Sequence, residues 1–92
     1  MANDVVGADV TEQIRAIVEH FGNLSVDLVD LDDADDLFHA GMSSFGNISV
    51  MLALEDAFGV EFPEPMLRRD TFETVATIRR AVLALLEQRR RP

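Results

Sequence analysis

The chain contains no cysteine and no lysine. The first absence excludes disulfides and thiolate metal ligands. The second excludes a phosphate-cradling loop of the G-x-x-x-x-G-K type, which depends on its lysine. Although 48% of the residues are hydrophobic, no membrane-length apolar run occurs, so a soluble protein is expected. No secretory leader is expected either, because the chain reads polar at Ala2-Asn3-Asp4. With the lack of cysteine, this points to a bacterial or organellar cytoplasm. No segment alternates with period two over the length of a strand, so no sheet is expected. Basic residues are few: 8 arginines stand against 17 acids, for a net charge of −9. That balance argues against nucleic acid, whose phosphates would need cations the chain does not have.

What is present is one small domain of 92 residues, with a core expected from about 9 to 88. Its charge is uneven. Residues 1–66 hold fourteen acids and one arginine, whereas residues 67–92 hold three acids and seven arginines. An acidic body favours partners with basic docking surfaces, although most single carboxylates serve only to solvate a small protein.

Asp9-Val10-Thr11-Glu12 reads as a capping box opening a first helix over about 10–21. Its inward stripe is Val10, Ile14, Ile17, Val18 and Phe21, and Gly22 is expected to end it in a left-handed conformation. A long, aspartate-rich connection follows over roughly 23–42, with Leu24, Val26, Leu28, Val29, Leu31, Leu37 and Phe38 expected to anchor it. A second helix is expected from Ser44 to Phe58, stopped by Gly59. It is apolar on two sides: Val50, Met51, Leu54 and Phe58 form one stripe, and Phe45, Ile48, Leu52 and Glu55 lie on another. Pro63 and Pro65 break the chain, and a short helical turn is expected near Met66–Arg69. A second capping box, Asp70-Thr71-Phe72-Glu73, is expected to open the last helix over about 72–88, with Phe72, Val75, Ile78, Val82, Leu85 and Leu86 facing inward. The expected fold is all-α, a small four-helix bundle with a long loop between helices one and two. The closing Arg89-Arg90-Arg91-Pro92 reads as a frayed, solvated tail, and the first few residues are likewise not expected to join the core.

Few residues suggest chemistry. Read as a calcium loop, the segment from Asp30 has Ala34 at its fifth position, Asp35 where the turn glycine belongs and Gly41 where the bidentate carboxylate belongs. His20 and His39 have no partner at metal-ligand spacing, so no metal is expected. Catalysis by the unmodified chain is not expected either. The exception is Gly41-Met42-Ser43-Ser44-Phe45, where the acidic loop meets the second helix. A phosphate diester on a serine there would be stabilised by unpaired N–H groups and the helix macrodipole. On the junction alone, Ser43 and Ser44 are better explained as an ordinary helix cap pair than as a modification site.

The flanking residues carry more information. Asp36-Leu37-Phe38-His39-Ala40-Gly41-Met42-Ser43-Ser44-Phe45, followed by Leu54-Glu55-Asp56-Ala57-Phe58-Gly59-Val60-Glu61-Phe62-Pro63, resembles the acyl carrier protein family over nearly the whole chain. The resemblance implies that Ser44 bears 4′-phosphopantetheine, attached by a phosphopantetheinyl transferase. The terminal thiol of that arm would carry cargo as a thioester between enzymes. It also implies a docking face on the second helix, here Ser43, Phe45, Ile48, Leu52, Glu55 and Asp56, on a protein expected to be monomeric.

Two departures shape the expectation. Ser43 stands where the family usually has an acid before the modified serine, and Phe45 stands where it usually has leucine. Gly46 and Ser49 occupy positions that are often acidic in fatty-acid carriers, which leaves Glu55 and Asp56 as the acidic component of the face. The Ser-Ser-Phe junction, the Phe-Gly-Val-Glu-Phe-Pro stretch and the Met-Leu-x-Arg-x-x-Phe stretch look like those of aminoacyl carrier proteins. These are loaded by stand-alone amino acid:carrier protein ligases related to seryl-tRNA synthetases. Two alternatives stay open: a carrier serving acyl-transfer enzymes of fatty-acid or polyketide-type synthesis, and an unmodified acidic helical adaptor docking through its second helix.

Overall fold

The computed structural model describes residues 6–90, with side chains from Val10 to Arg89. The expectations about the extreme N-terminus and about Arg91-Pro92 lie outside the described residues.

Three helices make the framework: α1 over Val6–Phe21, α2 over Ser44–Phe58 and α3 over Val75–Arg90. Both α2 and α3 pack on α1. In place of a fourth helix there are three single turns of 3₁₀ helix, at Leu28–Asp30, Glu64–Met66 and Arg69–Thr71. The four-helix expectation is therefore corrected to three long helices plus short turns. Pro63 and Pro65 account for this in the second interval, because each removes an N–H and the pair restricts the backbone before and after it. No strand forms among the described residues.

The core is where the periodicity placed it. Val10, Ile14 and Val18 of α1, Val50 and Leu54 of α2, and Val75, Ile78, Val82 and Leu85 of α3 are buried together with Leu37, Phe62 and Phe72. Phe62 and Phe72 meet edge to face with centroids 5.1 Å apart. Each such side chain contributes roughly 1.5–3 kcal/mol through the apolar surface it removes from water. Phe21 departs from its stripe: it is exposed and meets the ring of the neighbouring, exposed His20 at 4.6 Å.

Helix boundaries needed several corrections. α1 begins at Val6, so Asp9 lies within it and does not cap it. At its other end Gly22 continues the ladder, donating to the Val18 carbonyl at 2.7 Å, and Asn23 (φ 57°) takes the left-handed position. α3 starts three residues later than expected. Its box is Thr74 and Thr77: Thr77 N–H donates to Thr74 Oγ1 at 3.0 Å, and Thr74 N–H donates to Thr77 Oγ1 at 3.1 Å. Asp70 instead lies in the preceding 3₁₀ turn. Arg89 is not simply solvated: its guanidinium donates to the Phe58 carbonyl at 3.2 Å, which places a cation at the negative end of α2.

The long connection is held at defined points, but Val26 and Val29, expected among its anchors, are exposed and do not join the core. Arg15 of α1 pairs with Asp33 at 2.7 Å and donates to the carbonyls of Leu28 (2.7 Å) and Leu31 (2.9 Å). The Asp33 carbonyl accepts from Ala76 N–H at 2.9 Å, and Leu37 N–H donates to the Glu73 carbonyl at 2.7 Å, so the loop is tied to the start of α3. The aspartates act locally. Asp35 accepts from Asp32 N–H, and Asp36 accepts from the N–H groups of Phe38 and His39. Among the described residues, no three acidic or histidine side chains converge as metal ligands would.

Candidate functional site

Three features fix the start of α2. Gly41 turns the chain with φ +113°, against Ser25, where a Cβ would collide with the Ser25 backbone. Met42 is buried and its N–H donates to the Leu37 carbonyl at 3.0 Å, anchoring the junction from below. Gly46 is buried against the end of α1, where a Cβ would stand 2.6 Å from the Gly22 carbonyl oxygen. Gly46 therefore mediates close helix approach and does not contribute to the outer face on which fatty-acid carriers place acids.

The two serines have different roles. Ser43 is the N-cap, with extended backbone (φ −84°, ψ 171°), and its Oγ accepts from Gly46 N–H at 3.0 Å. Its carbonyl accepts from Asn47 N–H at 2.8 Å. Ser44 is the first residue of the helix and is exposed, and its hydroxyl has no hydrogen-bond partner among the described residues. The N–H groups of Ser44 and Phe45 likewise find no acceptor there. The first turn contains no acidic residue. A phosphate ester on Ser44 would thus meet free donors and the positive helix end with no carboxylate of the first turn opposing it.

Phe45, Ile48 and Leu52 are 79%, 50% and 54% exposed and form one apolar stripe running down α2 from the serine. Asp56 continues it, exposed. Glu55 is half-buried and differs from Asp56: its Oε2 accepts from Phe62 N–H at 2.9 Å, tethering the segment that follows the helix. Its carboxylate is already engaged within the fold.

A groove of about 370 Å³ opens beside Ser44. Asn47, Ile48 and Met51 line it from α2, Phe38 from the loop, and Leu67 to Phe72 in part from the opposite bank. The Arg69 guanidinium lies 4.0 Å from the centroid of the Phe38 ring, a cation–π contact between two residues of the lining. Of the groove residues, the sequence points to Ser44 and Ile48 as functional and to Phe38, Met51 and Phe72 as packing residues, and gives no role to Asn47, Leu67, Arg68 or Arg69. Asn47, three residues after Ser44, shares its helix face and could have been noted; the Arg68–Arg69 pair has no local signal linking it to the serine.

The chain is a small all-helical domain with an exposed serine at the N-terminus of α2, and sequence comparison gives its class. The chain matches the family described as "phosphopantetheine attachment site" over residues 12–82 and belongs to it. Its cofactor is therefore covalent 4′-phosphopantetheine. More particularly, the chain is a homologue of an aminoacyl carrier protein: it is 38% identical to that of Agrobacterium fabrum (strain C58) over 74 residues, covering 80% of this chain and 89% of the relative.

Solved structures agree. One similar chain belongs to the crystal structure of an engineered Bradyrhizobium japonicum glycine:carrier protein ligase complexed with carrier protein from Agrobacterium tumefaciens and AMP. It has a TM-score of 0.77 and 37% identity, covering 79% of this chain and 97% of the other. The corresponding complex with ATP has a TM-score of 0.79 and 36% identity, covering 82% and 97%. A solution structure of an A. tumefaciens protein has a TM-score of 0.70 and 35% identity, covering 86% and 95%. Among the described residues no helix is long and apolar enough to cross a membrane.

Proposed function

We propose that Ser44 is the attachment residue for 4′-phosphopantetheine and that the protein carries an activated amino acid, loaded by an amino acid:carrier protein ligase. The observation behind the assignment is the division of labour at the junction. Ser43 Oγ is committed to Gly46 N–H, whereas Ser44 Oγ is exposed and unpaired at the same helix end. Once bound, the arm supplies the thiol that a chain with no cysteine lacks, and it holds cargo as a thioester.

The chain's own residues hold and present that arm. The N–H groups of Ser44 and Phe45 and the dipole of α2 receive the phosphodiester. Met42 and Gly46 fix the helix end from within. Phe45, Ile48 and Leu52 offer an apolar docking stripe, with Asp56 as its acidic component and Ser43 at its head. The chemistry takes place in partner enzymes: a phosphopantetheinyl transferase, then the ligase. The ligase assignment rests on the ligase in the matched complexes, which is a glycine:carrier protein ligase. On this reading the protein is not itself an enzyme, and it works in the cytoplasm.

The test is an intact mass after incubation with coenzyme A and a broad-specificity phosphopantetheinyl transferase. One phosphopantetheine is expected on the wild type and on Ser43→Ala, and none on Ser44→Ala. Glycine or a similar amino acid, added by an ATP-dependent ligase, is then expected on the holo form. Loading only by malonyl or acyl transfer would move the protein to fatty-acid or polyketide-type synthesis. No gain in any of the three proteins would favour the unmodified adaptor.

A further inference from the structure

Among the described large hydrophobic residues none is more exposed than Val29, at 82%. It stands in the 3₁₀ turn Leu28–Asp30, whose other aliphatic residue, Leu28, is buried. The turn packs on α1, and a trough of about 280 Å³ runs between them, lined by Glu12, Arg15, Ala16, Glu19, Leu28 and Val29. Arg15 locks the turn in place, because its guanidinium donates to the carbonyls of Leu28 and Leu31 on either side of Val29. Val26, three residues earlier, is exposed as well. A lone surface valine requires no explanation. One held at the rim of a trough is an anchor point that needs little further ordering when something binds.

The carboxylates around this trough differ from others in the loop. Asp33 is paired with Arg15, Asp35 accepts from Asp32 N–H, and Asp36 accepts from Phe38 and His39. Glu12 and Glu19 of the lining, and Asp27 and Asp30 on either side of Leu28-Val29, are all exposed, and their side chains have no partner among the described residues. Arg15 is the one cation in the lining, and its charge is already met by Asp33. The trough is therefore apolar along Ala16, Leu28 and Val29 and anionic at its rim. No residue of α2 lines it, so it shares nothing with the stripe of Phe45, Ile48 and Leu52. It nevertheless adjoins the Ser44 end of the molecule: Ser25, next to Val26, donates its N–H to the Ala40 carbonyl at 2.8 Å, beside the Gly41 turn.

We propose that this trough is a second docking surface, occupied by a segment of a partner protein that sets an aliphatic side chain beside Val29 and lays lysine or arginine residues against Glu12, Glu19, Asp27 and Asp30. Charge complementarity selects the occupant. Uncommitted carboxylates repel an acidic surface, so the same face of a second copy, a nucleic acid and an anionic membrane are all disfavoured. A basic segment gains twice: the rim charges steer its approach, and the aliphatic contact slows its release. One consequence rests on the carrier reading of Ser44, in which transferase and ligase approach the serine along α2. A protein on the trough needs no part of that stripe. Two proteins then hold the carrier at once, and the enzyme that receives the amino acid is in place before the ligase leaves.

The experiment is a ¹H–¹⁵N NMR titration of the full chain, apo and holo, with the peptide Lys-Lys-Leu-Ile-Lys-Lys as probe. The backbone amides of Ala16, Glu19 and Val29 are expected to shift and those of Phe45 and Ile48 to stay, with tighter binding at low salt than at high. Val29→Ser removes the anchor and keeps every charge, whereas Asp27→Asn/Asp30→Asn removes charge and keeps the valine. Each is expected to weaken binding at least about threefold. These positions are exposed, so the fold is expected to persist, which unchanged core amides verify. The peptide Glu-Glu-Leu-Ile-Glu-Glu is expected to shift nothing. No response to the lysine peptide, a response as strong over residues 32–36 as over the trough, or one unchanged in Val29→Ser overturns the proposal, the last two by reducing it to unspecific charge attraction. Saturating the holo form with a glycine:carrier protein ligase is expected to shift Phe45 and Ile48 and leave the peptide's affinity as it was. Loss of peptide binding there overturns the claim of a separate surface. A chain that gains no phosphopantetheine by mass loses the Ser44 assignment, while the titration of the unmodified chain still decides the trough.

Discussion

Gly46 of α2 sits against the carbonyl oxygen of Gly22 at the end of α1, where a Cβ at position 46 would come within 2.6 Å of that oxygen. The contact sets the depth at which α2 meets α1, and hence the height at which Ser44 emerges. Gly46→Ala puts two effects in opposition. Alanine is favoured over glycine in a helix by about 1 kcal/mol. The obstructing atom, however, is backbone, which cannot rotate away, and overpacking costs about 1–3 kcal/mol. The clash is expected to win, with a net loss of roughly 1–2 kcal/mol in urea unfolding. An unchanged or raised midpoint would show that the two helices part without cost.

Arg15 is expected to matter more to the fold than any other described arginine. It joins α1 to the Asp33 carboxylate and to the carbonyls of Leu28 and Leu31. Arg15→Met keeps much of the stem and removes every donor. The expected loss is about 1–3 kcal/mol, given that the guanidinium is partly exposed. Amide hydrogen exchange in residues 28–37 should accelerate more than exchange in α2, because the clasp acts on the loop.

Glu55 and Asp56 are adjacent acids with different expected consequences. Glu55→Ala leaves Phe62 N–H without its acceptor and should cost roughly 1–2 kcal/mol of stability. Asp56→Ala touches no intramolecular partner and should alter stability by less than about 0.5 kcal/mol. If Asp56 belongs to the docking face, its loss should slow association with a ligase, most visibly at low salt. Paired unfolding and binding-rate measurements separate the two.

Phe45, Ile48 and Leu52 should behave in the opposite way to the core. Phe45→Ala removes a ring that is 79% exposed and is expected to change the unfolding free energy by less than about 0.5 kcal/mol. Binding to transferase or ligase should weaken at least about tenfold if the ring seats in a partner pocket. A stability loss with unchanged loading would show that the ring packs inward and is not a docking residue.

The residues legible in the sequence were those with a local signal. The apolar spacing of Val50 and Leu54, the serine–glycine bounds of α2 and the inward stripe of α3 follow from helical periodicity and end chemistry, which need only neighbours within a turn or two. The junction around Ser44 was legible for the same reason, and its flanks carried the family likeness. Errors arose where one local signal competed with another. Asp9-Val10-Thr11-Glu12 and Asp70-Thr71-Phe72-Glu73 both fit the capping pattern, yet α1 begins upstream of the first and α3 downstream of the second. Phe72 is the reason in the second case. Its ring is buried against Phe62, and its backbone closes a 3₁₀ turn by donating to Arg69, so helix entry waits for Thr74.

By itself, then, the sequence determined the helix class, the core stripes, the lack of any thiol and the serine pair at a helix N-terminus, because each is a property of composition or of residues within reach of one another along the chain. Only the tertiary structure decided which acid of Glu55-Asp56 is held within the fold, and that Arg68, Arg69 and Asn47 line one groove. Those outcomes depend on contacts between segments separated by seven to more than twenty residues, and packing, not local preference, selects them.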